Sequence, residues 1–180
     1  GDGTFQAPMS FTADHATSLA IGDVNGDGKL DVVTANMTGD SDVSVLLGNG
    51  DGTLKTGVNY KVGFLSQHVT VGDFNGDGNL DIAVSGDPGI LVLLGNGDGT
   101  FHTGATSRTG LGQAATGDFN RDGNLDLAVD DGNIPFSVDV LLGNGDGTFQ
   151  PQVKYPVGQQ PYSVVVLDVN GDGKQDLAVA

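Results

Sequence analysis

Four ten-residue stretches of this chain carry side-chain oxygens in one register: GDVNGDGKLD at 22–31, GDFNGDGNLD at 72–81, GDFNRDGNLD at 117–126 and LDVNGDGKQD at 167–176. Counted from the first Asp of each, the oxygen-bearing residues stand at positions 1, 3, 5 and 9. They are Asp23, Asn25, Asp27 and Asp31; Asp73, Asn75, Asp77 and Asp81; Asp118, Asn120, Asp122 and Asp126; and Asp168, Asn170, Asp172 and Asp176. Alternate residues of a tightly curled loop can point inward together, and Gly at position 6 allows the turn that brings the later ones back. The backbone carbonyl of position 7, on Lys29, Asn79, Asn124 and Lys174, would complete a cage. Oxygen donors without sulfur or imidazole select a hard cation, and a flexible multi-oxygen loop suits Ca2+ better than Mg2+, which demands an octahedron. About four calcium sites are therefore expected.

The pattern is not that of a helix–loop–helix calcium site, which needs a bidentate Glu at position 12. That position holds Thr34, Val84, Val129 and Val179, in what should be the next strand, so the ninth-position Asp takes over and the loop joins two strands. Asn-Gly and Asp-Gly also mark plain hairpin turns, but such a turn does not call for three Asp and one Asn in fixed register, repeated four times. Crowded carboxylates repel one another, and four divalent ions would halve the formal charge of −16. The first role expected of the metal is structural. Arg121 replaces Gly at position 4 of the third loop and brings a cation close to that site; Leu167 and Gln175 are departures at non-ligand positions of the fourth.

The elements that must hold these loops repeat with them. The opening Asp recurs at 23, 73, 118 and 168, and a second landmark alternates with it: LLGNGDGTL at 46–54 and LLGNGDGTF at 93–101 and 141–149, with GDGTF at 1–5 as a shortened relative. Between landmarks lie short runs rich in Val, Ile, Leu, Thr and Tyr, as in SLAIGD (18–23), LDVVTA (30–35), DVSVLLG (42–48) and TLKTGVNYKV (53–62). Bounded by Gly, Asn and Asp, they read as strands. Their apolar residues are consecutive rather than alternating, as in strands covered on both faces. Four such strands per unit of about 45–50 residues are the arithmetic of an all-β propeller built from four-stranded antiparallel blades. Helical spacing is absent, WD40 blades would carry Trp where this chain has none, and nine-residue calcium rolls repeat too often.

Composition agrees. Gly accounts for 31 of the 180 residues, and all 23 acidic residues are Asp, a former of turns and caps rather than helices. With only seven Lys plus Arg, the chain lacks the cations that neutralise phosphates, which disfavours nucleic acid and anionic membrane surfaces. No apolar run approaches the roughly 20 residues of a membrane-spanning helix, so no membrane insertion is expected. Cys is absent, so disulfides and thiolate chemistry are excluded.

Enzymatic chemistry finds no support. His15, His68 and His102 fall at non-equivalent places in the repeat, Glu is absent, and no Ser sits in a nucleophile elbow. The many carboxylates belong to the loops above. GNGDGT resembles a loose phosphate-binding glycine loop, but that motif works only between a strand and a helix. A turn between third and fourth strands, with Asp51, Asp98 and Asp146 as turn formers, accounts for it.

With these residues in view, the chain resembles the FG-GAP or VCBS-type repeat of integrin-like β-propellers, through D-x-N-x-D-G-x-x-D in the four loops and VLLGNGDGTF-like segments at 45–54, 92–101 and 140–149. The resemblance implies calcium loops between the first two strands of each blade, stiffening one face, and carries over to the Asp and Asn residues named above. Secreted bacterial proteins and fungal lectins share the pattern, so it also implies a secreted or cell-surface module for adhesion or for binding a protein or glycan. The expected organisation is one repeat array: 1–13 as the last strand of a preceding blade, blades at 14–62, 63–109 and 110–157, and the first half of a fourth at 158–180. The fifteen strands so expected do not close a ring, which points to a fragment of a larger propeller, or secondarily to a homo-oligomer that completes one. Segments 36–42, 85–90 and 130–137 differ most between units and are the expected recognition loops; a purely structural calcium-rigidified spacer of a larger secreted protein is the alternative, with a lectin-like or enzyme-associated domain behind it.

Overall fold

The computed structural model describes residues 3–4, 7–11, 15–37, 42–110 and 112–180. Fourteen strands are found among them: β1 (Ala16–Gly22), β2 (Asp31–Asn36), β3 (Asp42–Leu46), β4 (Val58–Lys61), β5 (Ser66–Gly72), β6 (Asp81–Gly86), β7 (Gly89–Gly95), β8 (Phe101–Arg108), β9 (Ala114–Gly117), β10 (Asp126–Asp131), β11 (Ser137–Leu141), β12 (Val153–Pro156), β13 (Val164–Leu167) and β14 (Asp176–Val179). They form three antiparallel sheets of four strands, each paired in chain order, and one two-stranded sheet of β13 and β14. These are β-propeller blades, as the repeat predicts. Among the described residues, no helix is long and apolar enough to cross a membrane. Most of the segment expected to supply a strand before the first blade, 1–13, either lies outside the described residues or, at 3–4 and 7–11, outside every strand.

The consecutive apolar runs are explained by where the cores sit, which is between blades. In β6, Ile82 and Val84 pack into one cluster with Val33, Val43 and Val45 of the first blade, while Ala83 between them turns to a second with Leu127 and Val129 of the third. Leu91 and Leu93 face the first cluster, and Ile90 and Val92 the second. Side chains alternate across a strand, so a blade with neighbours on both sides needs apolar residues at every position. Each fully buried Val, Ile or Leu contributes roughly 1.5–3 kcal/mol, so the middle strands hold the array together. The outer strands β4 and β12 are largely exposed.

Antiparallel order places the β1–β2 and β3–β4 connections at one end of a blade and the β2–β3 and β4–β5 connections at the other. The four Asp loops therefore share the first end with the GNGDGT turns. The three variable segments fall at the second end, where 85–90 narrows to the pair Asp87–Pro88 between β6 and β7. Of 36–42, residues 38–41 lie outside the described set; 130–137 is the longest variable connection among the described residues, and its Ile134 is exposed.

Candidate metal centre

Each Asp loop leaves the first strand of its blade and enters the second, and each curls in the same way. In the first loop, Asp23 accepts the amides of Asp27 and Gly28 at 3.1 and 2.7 Å, Asn25 Oδ1 accepts that of Asp27 at 2.9 Å, and Asp27 Oδ1 that of Lys29 at 3.0 Å. Thus positions 1, 3 and 5 are drawn inward by the amides of positions 5, 6 and 7. The second loop repeats this with Asp73, Asn75 and Asp77, the third with Asp118, Asn120 and Asp122, and the fourth with Asp168, Asn170 and Asp172. The curl needs left-handed backbone at positions 4 and 6, supplied by Gly26 and Gly28 at φ 70° and 79°. Arg121 is held at φ 62° where the other loops have Gly.

The amides that draw the carboxylates inward also favour their ionised form. Asp77 lies below the ordinary carboxylate value because of the Asn79 amide and the Asn75 side chain, Asp122 because of the Asn124 amide, and Asp168 because of that of Gly173. Asp81 and Asp126 are pushed the other way, first by burial, with the negative charges of Asp73 and Asp77, or of Asp118 and Asp122, adding to it. That repulsion is what a cation would relieve.

The ninth-position Asp has a second task that the spacing does not reveal. Asp31 is fully buried and accepts the Val24 amide on Oδ2 at 3.0 Å and the Gly48 amide on Oδ1 at 2.7 Å. Asp81 does the same with Phe74 and Gly95, at 2.9 and 2.8 Å, and Asp126 with Phe119 and Gly143, both at 2.8 Å. Asp176 accepts the Val169 amide at 3.0 Å. The carboxylate thus ties the start of its loop to the end of the blade's third strand. Gly48, Gly95 and Gly143 have to be glycine, because a Cβ at any of them would collide with the carbonyl of Leu30, Leu80 or Leu125.

In the first three loops the position 7 side chain reaches over the neighbouring turn. Asn79 and Asn124 lie where a Cβ on Gly97 or Gly145 would be, and the Lys29 stem lies against Gly50. Lys29 and Lys174 stand 3.5 and 3.7 Å from Asp27 and Asp172, exposed pairs of little energetic weight. The turns are closed by their own Asp: Asp51 Oδ1 accepts both the amide and the hydroxyl of Thr53, with Asp98–Thr100 and Asp146–Thr148 matching. Loops and turns also join adjacent blades. The Gly147 amide donates to the Phe74 carbonyl at 2.9 Å, and the Leu80 and Leu125 side chains fit over Gly22 and Gly72 of the preceding blade. Gln175 takes that place over Gly117, and the Arg121 guanidinium donates to the Gly173 carbonyl of the fourth loop.

Among the described residues, no three Asp or His side chains converge on one point as a closed metal cluster. The donor chemistry nevertheless fits a hard divalent cation: each loop offers three carboxylates, one amide oxygen and backbone carbonyls, and an oxygen that accepts one N–H keeps a further lone pair. His15 precedes β1, and His68 and His102 stand on β5 and β8, the two outer strands of the second blade; among the described residues they build no shared site.

A family model described as FG-GAP-like repeat matches the chain three times, at residues 23–84, 73–129 and 130–179. Among solved structures, a lectin of Agrocybe aegerita, described in terms of its specific recognition of non-reducing terminal N-acetylglucosamine, is 28% identical with a TM-score of 0.60. The similarity covers 88% of this chain and 45% of the lectin's, so the present chain spans less than half of that protein's length. No curated protein matches.

Proposed function

Because the chain belongs to the FG-GAP-like repeat family, whose model covers residues 23–179, we propose that it works as a calcium-stabilised β-propeller module that binds a glycan or protein outside the cell or at its surface. It is read as a binder and not an enzyme. The observation that carries the calcium part is the fourfold recurrence of one curled loop with the same hydrogen bonds at positions 1, 3, 5 and 9. In each loop the ion would be held by the Asp and Asn side chains named above with the carbonyl of position 7. Bound calcium supplies positive charge that offsets the crowded carboxylates and stiffens the loop. Since that loop is tied to the third strand through Asp31, Asp81 or Asp126, stiffening reaches the whole blade.

Binding to the folded state alone would stabilise it by roughly 2.7 kcal/mol per site at a hundredfold excess over Kd. Extracellular modules of this chemistry tolerate weak sites, because calcium is plentiful there. The recognition part is supported by the glycan-binding lectin among similar structures and by the unlike loops at the end opposite the Asp loops. Glycan and matrix-protein arrays, probed with calcium and with chelator, test it: retention in calcium that falls with chelator supports the module, and no partner in either condition favours the spacer.

A further inference from the structure

A cavity of about 190 Å3 opens at the blade end opposite the Asp loops, where the second, third and fourth sheets meet. Its chemistry comes from Gln67 and His68 of β5, Asp130 of β10, and Gln160 and Tyr162 of the β12–β13 connection, with Gly112 in the floor. The floor is braced: Ser85 Oγ donates to the Gly112 carbonyl at 2.7 Å, the Gly112 amide to the Asp130 carbonyl at 3.1 Å, and the Asp130 amide to Gln113 at 3.1 Å. Thr17 of the first blade donates to the Gln67 carbonyl at 2.9 Å, and the Tyr162 amide is fixed to Ala180 at 2.8 Å. Asp130 is only 3% exposed, yet among the described residues it makes no ion pair. Its carboxyl lies where any side chain at residue 112 would have to go, so Gly112 is what lets it rest on the cavity floor.

Resting on the reading of the chain as a binding module, we infer that this cavity takes one neutral, hydroxyl-bearing sugar ring. The lining contains no Lys or Arg, which removes the partner an anionic ligand would need. It presents a carboxylate and two primary amides, groups that accept from and donate to hydroxyls, beside a phenol ring that is 73% exposed. An aromatic face of this kind covers the apolar C–H side of a sugar while its rim stays wet. Burial keeps His68 below the usual imidazole value, so it acts as a neutral partner and adds no cation. The size admits one ring and not a chain, so a terminal sugar is the expected epitope.

The test is titration of the calcium-loaded chain with the methyl glycosides of N-acetylglucosamine, galactose and mannose, followed by ligand-observed NMR. At least one glycoside should bind, and Tyr162→Ala and Asp130→Asn should each weaken it by about ten-fold or more, while Arg108→Ala, in the separate cleft beside Lys154, should change it by less than about two-fold. Tyr162 is exposed, so its loss tests binding without unfolding the blade. A glycoside that binds equally to both variants overturns this site and leaves the glycan-binding module standing. Failure of every glycoside overturns both for saccharides, and tighter binding of lysine methyl ester, lost in the same variants, overturns the neutral class.

Discussion

Asp31 receives the amide of Gly48 at 2.7 Å across 17 residues of chain, and this contact joins each Asp loop to the strand beyond it. The same pairing recurs between Asp81 and Gly95 and between Asp126 and Gly143. It separates the ninth-position Asp from the others in its loop, because its loss should matter with or without metal.

Asp81→Ala removes the acceptor for two buried amides, those of Phe74 and Gly95. The cost should be about 2–4 kcal/mol by urea denaturation even in chelator. Asp77→Ala, at an exposed position of the same loop, should cost little in chelator and show its effect only when calcium is present. Equal losses for both variants in chelator would contradict the division of labour.

Gly95→Ala places a methyl group against the Leu80 carbonyl, which is backbone and cannot swing aside. A destabilisation of at least about 2 kcal/mol is expected from the forced backbone shift. Gly28→Ala, with open space around it but φ at 79°, should cost about 1 kcal/mol from backbone strain alone. Thermal melts of the two variants give the order directly.

Asp130 gives the pH dependence a sign. Burial pushes its carboxyl up to about 6, above the 3.8 of an unfolded chain. The folded state therefore holds the proton more tightly, so the stability linked to this group is full below 3.8 and is lost as pH rises through 6. Between neutral pH and about pH 5 in calcium-free buffer, the parent should gain about 1 kcal/mol relative to Asp130→Asn, a difference from which the opposing protonation of His68 drops out. A parent and variant with the same slope over this range would remove the assignment.

Lys154 bridges two carboxylates in the third blade, Asp131 at 2.7 Å and Asp139 at 3.3 Å, and Asp139 is wholly buried. Lys154→Met should cost roughly 2 kcal/mol, the lower side of the range for unpairing buried charges because the lysine itself is half exposed. The corresponding site of the first blade uses neutral groups around one Asp: Asn36 donates to Asp42 and Ser44, and Ser44 to Asn59. Asn59→Ala should therefore cost less than Lys154→Met when both are measured by urea unfolding.

The strands and the Asp loops were legible in the sequence because each unit says the same thing again, so the register of Asp23, Asn25, Asp27 and Asp31 could be checked against three copies. Consecutive apolar runs such as Ile82–Val84 named strands covered on two faces, and the clusters between blades bear that out. The double role of Asp31 was not legible. Spacing tells which side chains can face inward, but not that a distant amide, Gly48, arrives to use the same carboxylate. The fit of Leu80 over Gly22 was equally hidden, since it joins residues of different blades. Asp130 and Tyr162 stand at positions whose residue type does not recur between units, and only folding brings them to one cavity.

Whether the four Asp loops hold calcium is decided by calorimetric titration of the metal-stripped chain with CaCl2, paired with melting curves in calcium and in chelator. About four ions should bind, fewer in variants lacking Asp27 or Asp77, and the melting temperature should rise with calcium. No heat of binding, with melting curves that coincide in calcium and chelator, would contradict calcium binding.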